Sequence, residues 1–350
     1  MEAQLQEIHE LAVRIGRPVQ LMEVCGTHTM AIFRTGLRNL LPPSVRLLSG
    51  PGCPVCVTPD RYLEQALSLA GTPDTVVATF GDMLRVPGRH GSLETARARG
   101  AQVRVVYSPL DALQFAAAHP DRRVVFLGVG FETTAPTTAW ALTEAARHMP
   151  NFFVLCGHKT MPQALAALLR SGEVRLDGLI CPGHVSVITG TRIYEFIPRE
   201  FELPCVVTGF EPDDLLGGLV LLLRQIAEQR ATVENQYHRC VTAAGNARAQ
   251  ALLAEVFEPS DADWRGLGRI PGSGLRIRAG WANHDAERLC PALPDAAVDD
   301  VRGCRCGEVL RGVITPPQCP LFRQACTPDT PRGACMVSSE GTCAAYYRYT

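Results

Sequence analysis

The chain reads as an α/β protein: two Rossmann-like α/β domains with parallel-type sheets, followed by a third, irregular and partly helical region. Three observations predict this. Short apolar runs alternate with helical stretches up to about residue 230, the rhythm that builds parallel sheets covered by helices. Most of these runs are followed by a Gly-rich turn bearing Cys, His, Asp, Glu or Thr. Beyond residue 230 the rhythm fails, and six of the 14 cysteines crowd into the last 47 residues.

Leu5, Ile8, Leu11 and Ile15 recur at helical spacing, predicting an amphipathic helix over 3–15 that ends at Gly16 and Pro18. Strands are expected at 19–24, 45–48, 75–79, 102–107, 123–127, 152–155, 178–180 and 205–208. Helices are expected at 59–70, 109–118, 136–148, 162–170 and 213–230, with another around 246–257. So many strands divide into two units with a break near Pro150. The expected division is a first α/β domain over 18–149, a second over 150–230, and a third region from residue 231 to 350.

At 350 residues, 46% apolar and 20% charged, the composition is that of a soluble globular protein. A formal charge of −1 offers no global attraction to nucleic acid or anionic membrane. The start, MEAQLQEIHE, has neither a basic nor an apolar leader region. The most apolar stretch, Leu215 to Ile226, is well short of the ~20 residues a membrane helix needs. A cytoplasmic location is therefore expected, where clustered thiols mean metal and redox chemistry rather than disulfide staples.

The turns after the strands are Cys25-Gly-Thr-His28, Gly50-Pro-Gly-Cys-Pro-Val-Cys56, Gly81-Asp82, Gly130-Phe-Glu-Thr-Thr-Ala-Pro136, Cys156-Gly-His-Lys159 and Pro182-Gly-His184. In open α/β sheets ligands bind beyond the carboxyl ends of the strands, so six such turns point to a cleft. Cys53 and Cys56 form a C-x-x-C ahead of a helix with Thr58 as expected N-cap and Pro59 at its first position. A helix N-terminus lowers a thiol pKa, which suits a redox dithiol; the rivals are half a zinc site completed by Cys25 and His28, or simply two buried thiols. Cys25 and His28 place a thiolate and an imidazole together, fit for iron ligation and proton transfer, for a Cys–His nucleophile, or for a structural pair. His158 and His184 also follow a Gly after a strand, whereas His9, His119 and His148 read as surface residues.

The last segment carries Cys306-x12-Cys319-x6-Cys326-x16-Cys343, with Cys304 and Cys335 also available. Four thiolates with Gly and Pro beside them suit an iron–sulfur cluster. Paired C-x-x-C knuckles of zinc ribbons are absent from it. Gly128-Val-Gly130 lacks the third Gly of a dinucleotide fingerprint, and Gly157-His-Lys-Thr160 lacks the upstream Gly of a phosphate loop.

Taken together, MEVCGTHTMAIFRTGL (22–37), SGPGCPVCVTP (49–59), GFETTAP (130–136), PGHVSVITG (182–190), CGEVLRG (306–312) and CMVSSEGTCAAYY (335–347) resemble the HypD family of hydrogenase maturation proteins. The resemblance runs from about residue 20 to the end. It implies two α/β domains and a third, made of 1–17 and 231–350, that carries a 4Fe–4S cluster. It implies a scaffold that works with a small HypC-type chaperone. That scaffold holds an iron while cyanide from a HypE-type donor and carbon monoxide build a transient Fe(CN)2CO unit for the large-subunit precursor of a nickel–iron hydrogenase. By motif, Cys25 is the iron-binding thiolate with His28 beside it, Cys53 and Cys56 are the redox pair, and Glu340 lies between the cluster region and the cleft. The family's cluster spacing selects Cys306, Cys319, Cys326 and Cys343. Two other readings of the residues stay open: a cluster-dependent dithiol oxidoreductase, and a zinc-stabilised binding module.

Overall fold

Thr75-Val-Val-Ala-Thr79 is buried at every position. A strand with no exposed residue has to be covered on both faces, which a parallel sheet between helix layers provides. The computed structural model describes residues 1–290 and 303–350 and contains two such sheets. Their strands are β1 (Val19–Glu23), β2 (Val45–Ser49), β3 (Thr75–Thr79), β4 (Gln102–Val105), β5 (Arg123–Gly128), β6 (Phe152–Cys156), β7 (Gly178–Pro182), β8 (Cys205–Thr208) and β9 (Val233–Asn235). One sheet has the order β2-β1-β7-β8-β9 and the other β4-β3-β5-β6. All pairings in both are parallel.

The break expected near Pro150 falls inside a sheet. β6 pairs with β5, Gly128 opposite Cys156, while β7 lies beside β1, with Leu21 opposite Gly178. Apolar rhythm reveals that a strand exists but not its neighbour, because parallel pairing is non-local and is decided by which faces the helices bury. The third region is divided for the same reason. β9 extends the first sheet, and the helix Ala247–Val256 packs on the helix Ala135–His148. A hairpin of β10 (Phe257–Trp264) and β11 (Gly268–Ile277) lies against the helix Met161–Ser171.

The N-terminal helix Glu2–Ile15 buries Ile8, Leu11 and Ala12 in one core with Leu215, Leu216 and Leu219 of the helix Pro212–Ala227. Arg224 Nε donates to Glu7 Oε1 at 2.7 Å across that contact. Its apolar stripe is thus spent on the first sheet. The cysteine segment 303–350 has only short helices, Cys306–Leu310, Ala334–Val337 and Thr342–Tyr349. The last of these docks on the helix Gly26–Arg34. There the Phe33 and Tyr346 rings lie 4.7 Å apart, the Arg38 guanidinium sits 4.4 Å from the Phe33 ring, and Arg38 donates to the Tyr346 hydroxyl at 2.6 Å.

Candidate functional site

The carboxyl ends of both sheets face a shared cleft of about 610 Å³, the size of a small-molecule site. Its walls include Cys25, Thr27 and His184 from the first sheet's turns, and Gly81, Asp82, Gly130 and Phe131 from the second's. Ser339 and Glu340 come from the cysteine segment. Five of the six turns singled out by sequence therefore contribute to it. Cys156-Gly-His-Lys159 lines a different cavity.

Two glycines explain how the loops close. A Cβ on Gly52 would stand 2.2 Å from the Cys25 nitrogen and 2.3 Å from the Val24 carbonyl carbon, so the two turns touch backbone to backbone. Gly26 N–H donates to the Gly52 carbonyl at 3.0 Å. On Gly26 a Cβ would meet the Glu340 Cβ at 2.5 Å, and the absence of a side chain admits the Ser338–Glu340 strap. Thr27 Oγ1 then donates to Glu340 Oε1 at 2.6 Å.

Cys25 is the N-cap of the helix Gly26–Arg34, and the backbone N–H groups of Thr27 and His28 face its sulfur. Burial still dominates: together with the carboxylates of Glu340 and Glu23 it pushes the thiol up to about 12. The thiol therefore keeps its proton at neutral pH. Beneath it lies Glu23, an acid at a buried position of β1 on the same face as Val19 and Leu21. Its carboxyl accepts from Cys25 N–H at 3.1 Å and from Thr29 Oγ1 at 2.5 Å, and burial raises its pKa to about 7.

His28 is fully buried and does not line the cleft. Its Nε2 lies 3.0 Å from the Gly209 carbonyl and 3.3 Å from that of Thr208. Both partners are acceptors, so Nε2 carries the proton and Nδ1 keeps a lone pair with no partner. Burial lowers its pKa to about 4, which makes the ring neutral. The imidazole that reaches the cleft is His184, stacked at 4.0 Å on Phe210, whose ring also contacts His28 at 4.7 Å.

Cys53 and Cys56 sit in a turn just below the cleft, ahead of the helix Asp60–Ala70, whose N-cap is Pro59 rather than Thr58. Cys56 N–H donates to Cys53 Sγ at 3.2 Å, and the Cys53 thiol donates to Ser338 Oγ at 3.2 Å. Complete burial raises the Cys56 pKa, the reverse of the lowering expected from a helix N-terminus, because desolvation of the thiolate outweighs a dipole one turn away. Asp82 clamps the strap, accepting from Ser339 N–H and Ser339 Oγ at 2.8 Å each.

All six C-terminal cysteines, 304, 306, 319, 326, 335 and 343, line one largely apolar pocket with Val309, Leu321, Phe322 and Met336. Arg332 N–H donates to Cys326 Sγ at 3.3 Å and Cys343 N–H to Cys335 Sγ at 3.2 Å. Backbone N–H groups aimed at sulfurs in an apolar shell suit thiolates that ligate an iron–sulfur cluster. Among the described residues no group of three or more ligating side chains is gathered tightly enough for a single metal ion.

The side chain of Cys335 meets both Cys343 and Cys56. The sulfurs thus run unbroken from the dithiol into the pocket: Cys53, Cys56, Cys335, Cys343. Sequence reasoning missed this link because residues 56 and 335 are far apart along the chain; the pairing is purely tertiary. Glu23 had a signal, a carboxylate where the strand pattern calls for an apolar residue.

The family model described as HypD, hydrogenase formation hypA family, matches residues 1–350. Hydrogenase maturation factor HypD of Rhodobacter capsulatus is 49% identical over 354 residues, covering 99% of this chain and 94% of its own. Its namesake from Escherichia coli strain K12 is 50% identical over 335 residues, covering 95% and 90%. That of Cupriavidus necator is 50% identical over 346 residues, covering 96% and 91%. Matched over its whole length by the family model and about half identical to these relatives, this chain belongs to the HypD family.

Proposed function

We propose that the chain is a hydrogenase maturation scaffold whose cleft holds an iron on Cys25 while cyanide and carbonyl ligands are attached to it. The observation that carries this reading is the line of sulfurs joining a cleft thiol region to a six-cysteine pocket. A buried thiol poised to exchange its proton for a cation suits a site that must take up iron and later release it. The half-buried cleft shields an iron intermediate from water, and its open mouth admits a small HypC-type chaperone and a HypE-type cyanide donor. Glu340 and Asp82 hold the strap that covers the dithiol.

Cys306, Cys319, Cys326 and Cys343 would hold a 4Fe–4S cluster, with Cys335 placed as the link toward Cys56. Such a cluster supplies one-electron transfer. The Cys53–Cys56 pair gives up two electrons and two protons on closing to a disulfide. The family's relatives are hydrogenase maturation factors by name, and no helix of the described residues is long and apolar enough to cross a membrane.

The test is infrared spectroscopy of the anaerobically isolated protein bound to its chaperone. Wild type is expected to show cyanide and carbonyl bands. Cys25→Ala is expected to lose them while keeping its iron–sulfur absorbance. Cys53→Ser or Cys56→Ser is expected to stop hydrogenase maturation with the absorbance intact. Bands of normal intensity in Cys25→Ala would overturn the assignment of the anchor.

A further inference from the structure

The turn Cys156-Gly-His-Lys159 is the one chemistry-bearing turn the cleft does not use, and it opens on a separate cavity of about 190 Å³ beside the β10–β11 hairpin. Lys159 is the only lysine in the chain; its other 33 basic residues are arginines. It is 5% exposed, and among the described residues its amine makes no hydrogen bond or ion pair. The amine stands 5.6 Å from the centre of the Trp264 ring. Arg265, buried as deeply, is by contrast ion-paired with Asp60 and donates to the Thr58 carbonyl.

An ammonium buried without a direct ion pair or hydrogen bond destabilises the fold, and an apolar side chain of similar shape would be better tolerated. A chain that uses arginine at every other basic position retains an amine here, and an amine differs from a guanidinium in being able to lose its proton. The rim argues against an anionic ligand as the missing partner. Asp261, Asp263, Asp285 and Glu287 line the cavity, against Arg61 and Arg276, and Arg276 is engaged by Glu258 at 2.6 Å. An oxyanion would meet four carboxylates; a neutral molecule would not.

We propose that Lys159 is a covalent attachment site whose uncharged amine adds to a small neutral carbonyl electrophile entering this cavity. The nitrogen lone pair forms a C–N bond to the electrophilic carbon. The π pair of the attacked double bond moves to its heteroatom, which takes up the proton leaving the amine. With isocyanic acid the product is a urea; nothing is released, oxidised or reduced. Burial, offset in part by Cys156 and Asp263, brings the Lys159 pKa down to about 8. At pH 7.5 that makes the reactive form roughly two hundredfold more populated than in an ordinary lysine. Lys159 N–H also donates to the Gly130 carbonyl at 3.0 Å, and Gly130 lines the cleft, so the two cavities share one turn. The inference stands on this cavity and does not depend on the function proposed for the cleft.

A single lysine makes the test clean. The folded protein is treated with potassium cyanate at pH 7.5, then denatured and digested with a lysine-specific protease, which cuts an unmodified chain once, after Lys159. Lys159 is expected to be carbamoylated at least tenfold faster in the folded protein than in guanidinium-unfolded protein, and about as fast as the α-amine of Met1. Equal or slower reaction in the folded state, or modification confined to Met1, would overturn the proposal. Lys159→Met is expected to melt no lower than wild type and to react only at Met1. A lower melting temperature would make the amine a structural element and overturn the proposal equally.

Discussion

Gly52→Ala tests whether backbone contact between the Cys25 turn and the Cys53–Cys56 loop builds the site. The new Cβ would lie 2.2 Å from the Cys25 nitrogen and 2.4 Å from its Cα, where ordinary contact begins near 3.4 Å. Both neighbours are main chain, so no side-chain rotation relieves the clash, and the loops must part by about 1.2 Å. Overpacking of this kind costs about 1–3 kcal/mol, and losing the Gly26–Gly52 hydrogen bond adds about 1 kcal/mol. The expected total is about 2–4 kcal/mol. The displaced loop also carries the dithiol away from Ser338. Guanidinium denaturation should show the lowered midpoint, and hydrogenase activity in a host lacking its own HypD-type factor should fall at least tenfold. Gly71→Ala is the control: its Cβ meets only carbonyl oxygens at 3.5 and 3.7 Å, and stability should stay within about 1 kcal/mol of wild type. Wild-type stability and full activity in Gly52→Ala would refute the packing argument.

In the cysteine pocket, Cys319→Ala and Cys343→Ala should each lose iron and sulfide and loosen the 303–350 segment. Cys335→Ala should keep the metal yet block maturation; retained metal in Cys343→Ala would sink the ligand assignment. Glu132, buried with one carboxyl oxygen unpartnered, has its pKa raised by burial to about 7. A raised carboxyl favours the protonated fold, so its contribution is complete below about pH 4.5 and is lost as pH rises through 7. Glu132→Gln should therefore exceed wild-type stability at pH 8 by on the order of 2–3 kcal/mol, with the difference vanishing below pH 4.5. Denaturation midpoints at pH 4.5 and pH 8 check it, and a pH-independent difference would count against it.

Local pattern carried a large part of the fold. The helix Pro109–Ala118 spans the expected residues, with Ser108 accepting from Asp111 N–H as its N-cap. Thr75–Thr79 and Cys205–Thr208 are strands over the expected residues. Short helices such as Gly183–Thr189 and the β10–β11 hairpin escaped notice, since neither has a long enough periodic run to announce itself.

The sequence by itself determined which residues are chemically able: Cys25 before a Gly after a strand, the Cys53–Cys56 pair, the crowded C-terminal thiols, Glu340. Those are covalent facts at short range. Only the tertiary structure decided what they do to one another. It withdrew His28 behind the cleft and put His184 in its wall. It set Cys335 between Cys56 and Cys343. It raised the Cys25 and Cys56 thiols where a helix N-terminus alone would have lowered them. The reason is that desolvation and sulfur–sulfur contact depend on neighbours brought together from distant segments, a property of packing that no spacing along the chain encodes.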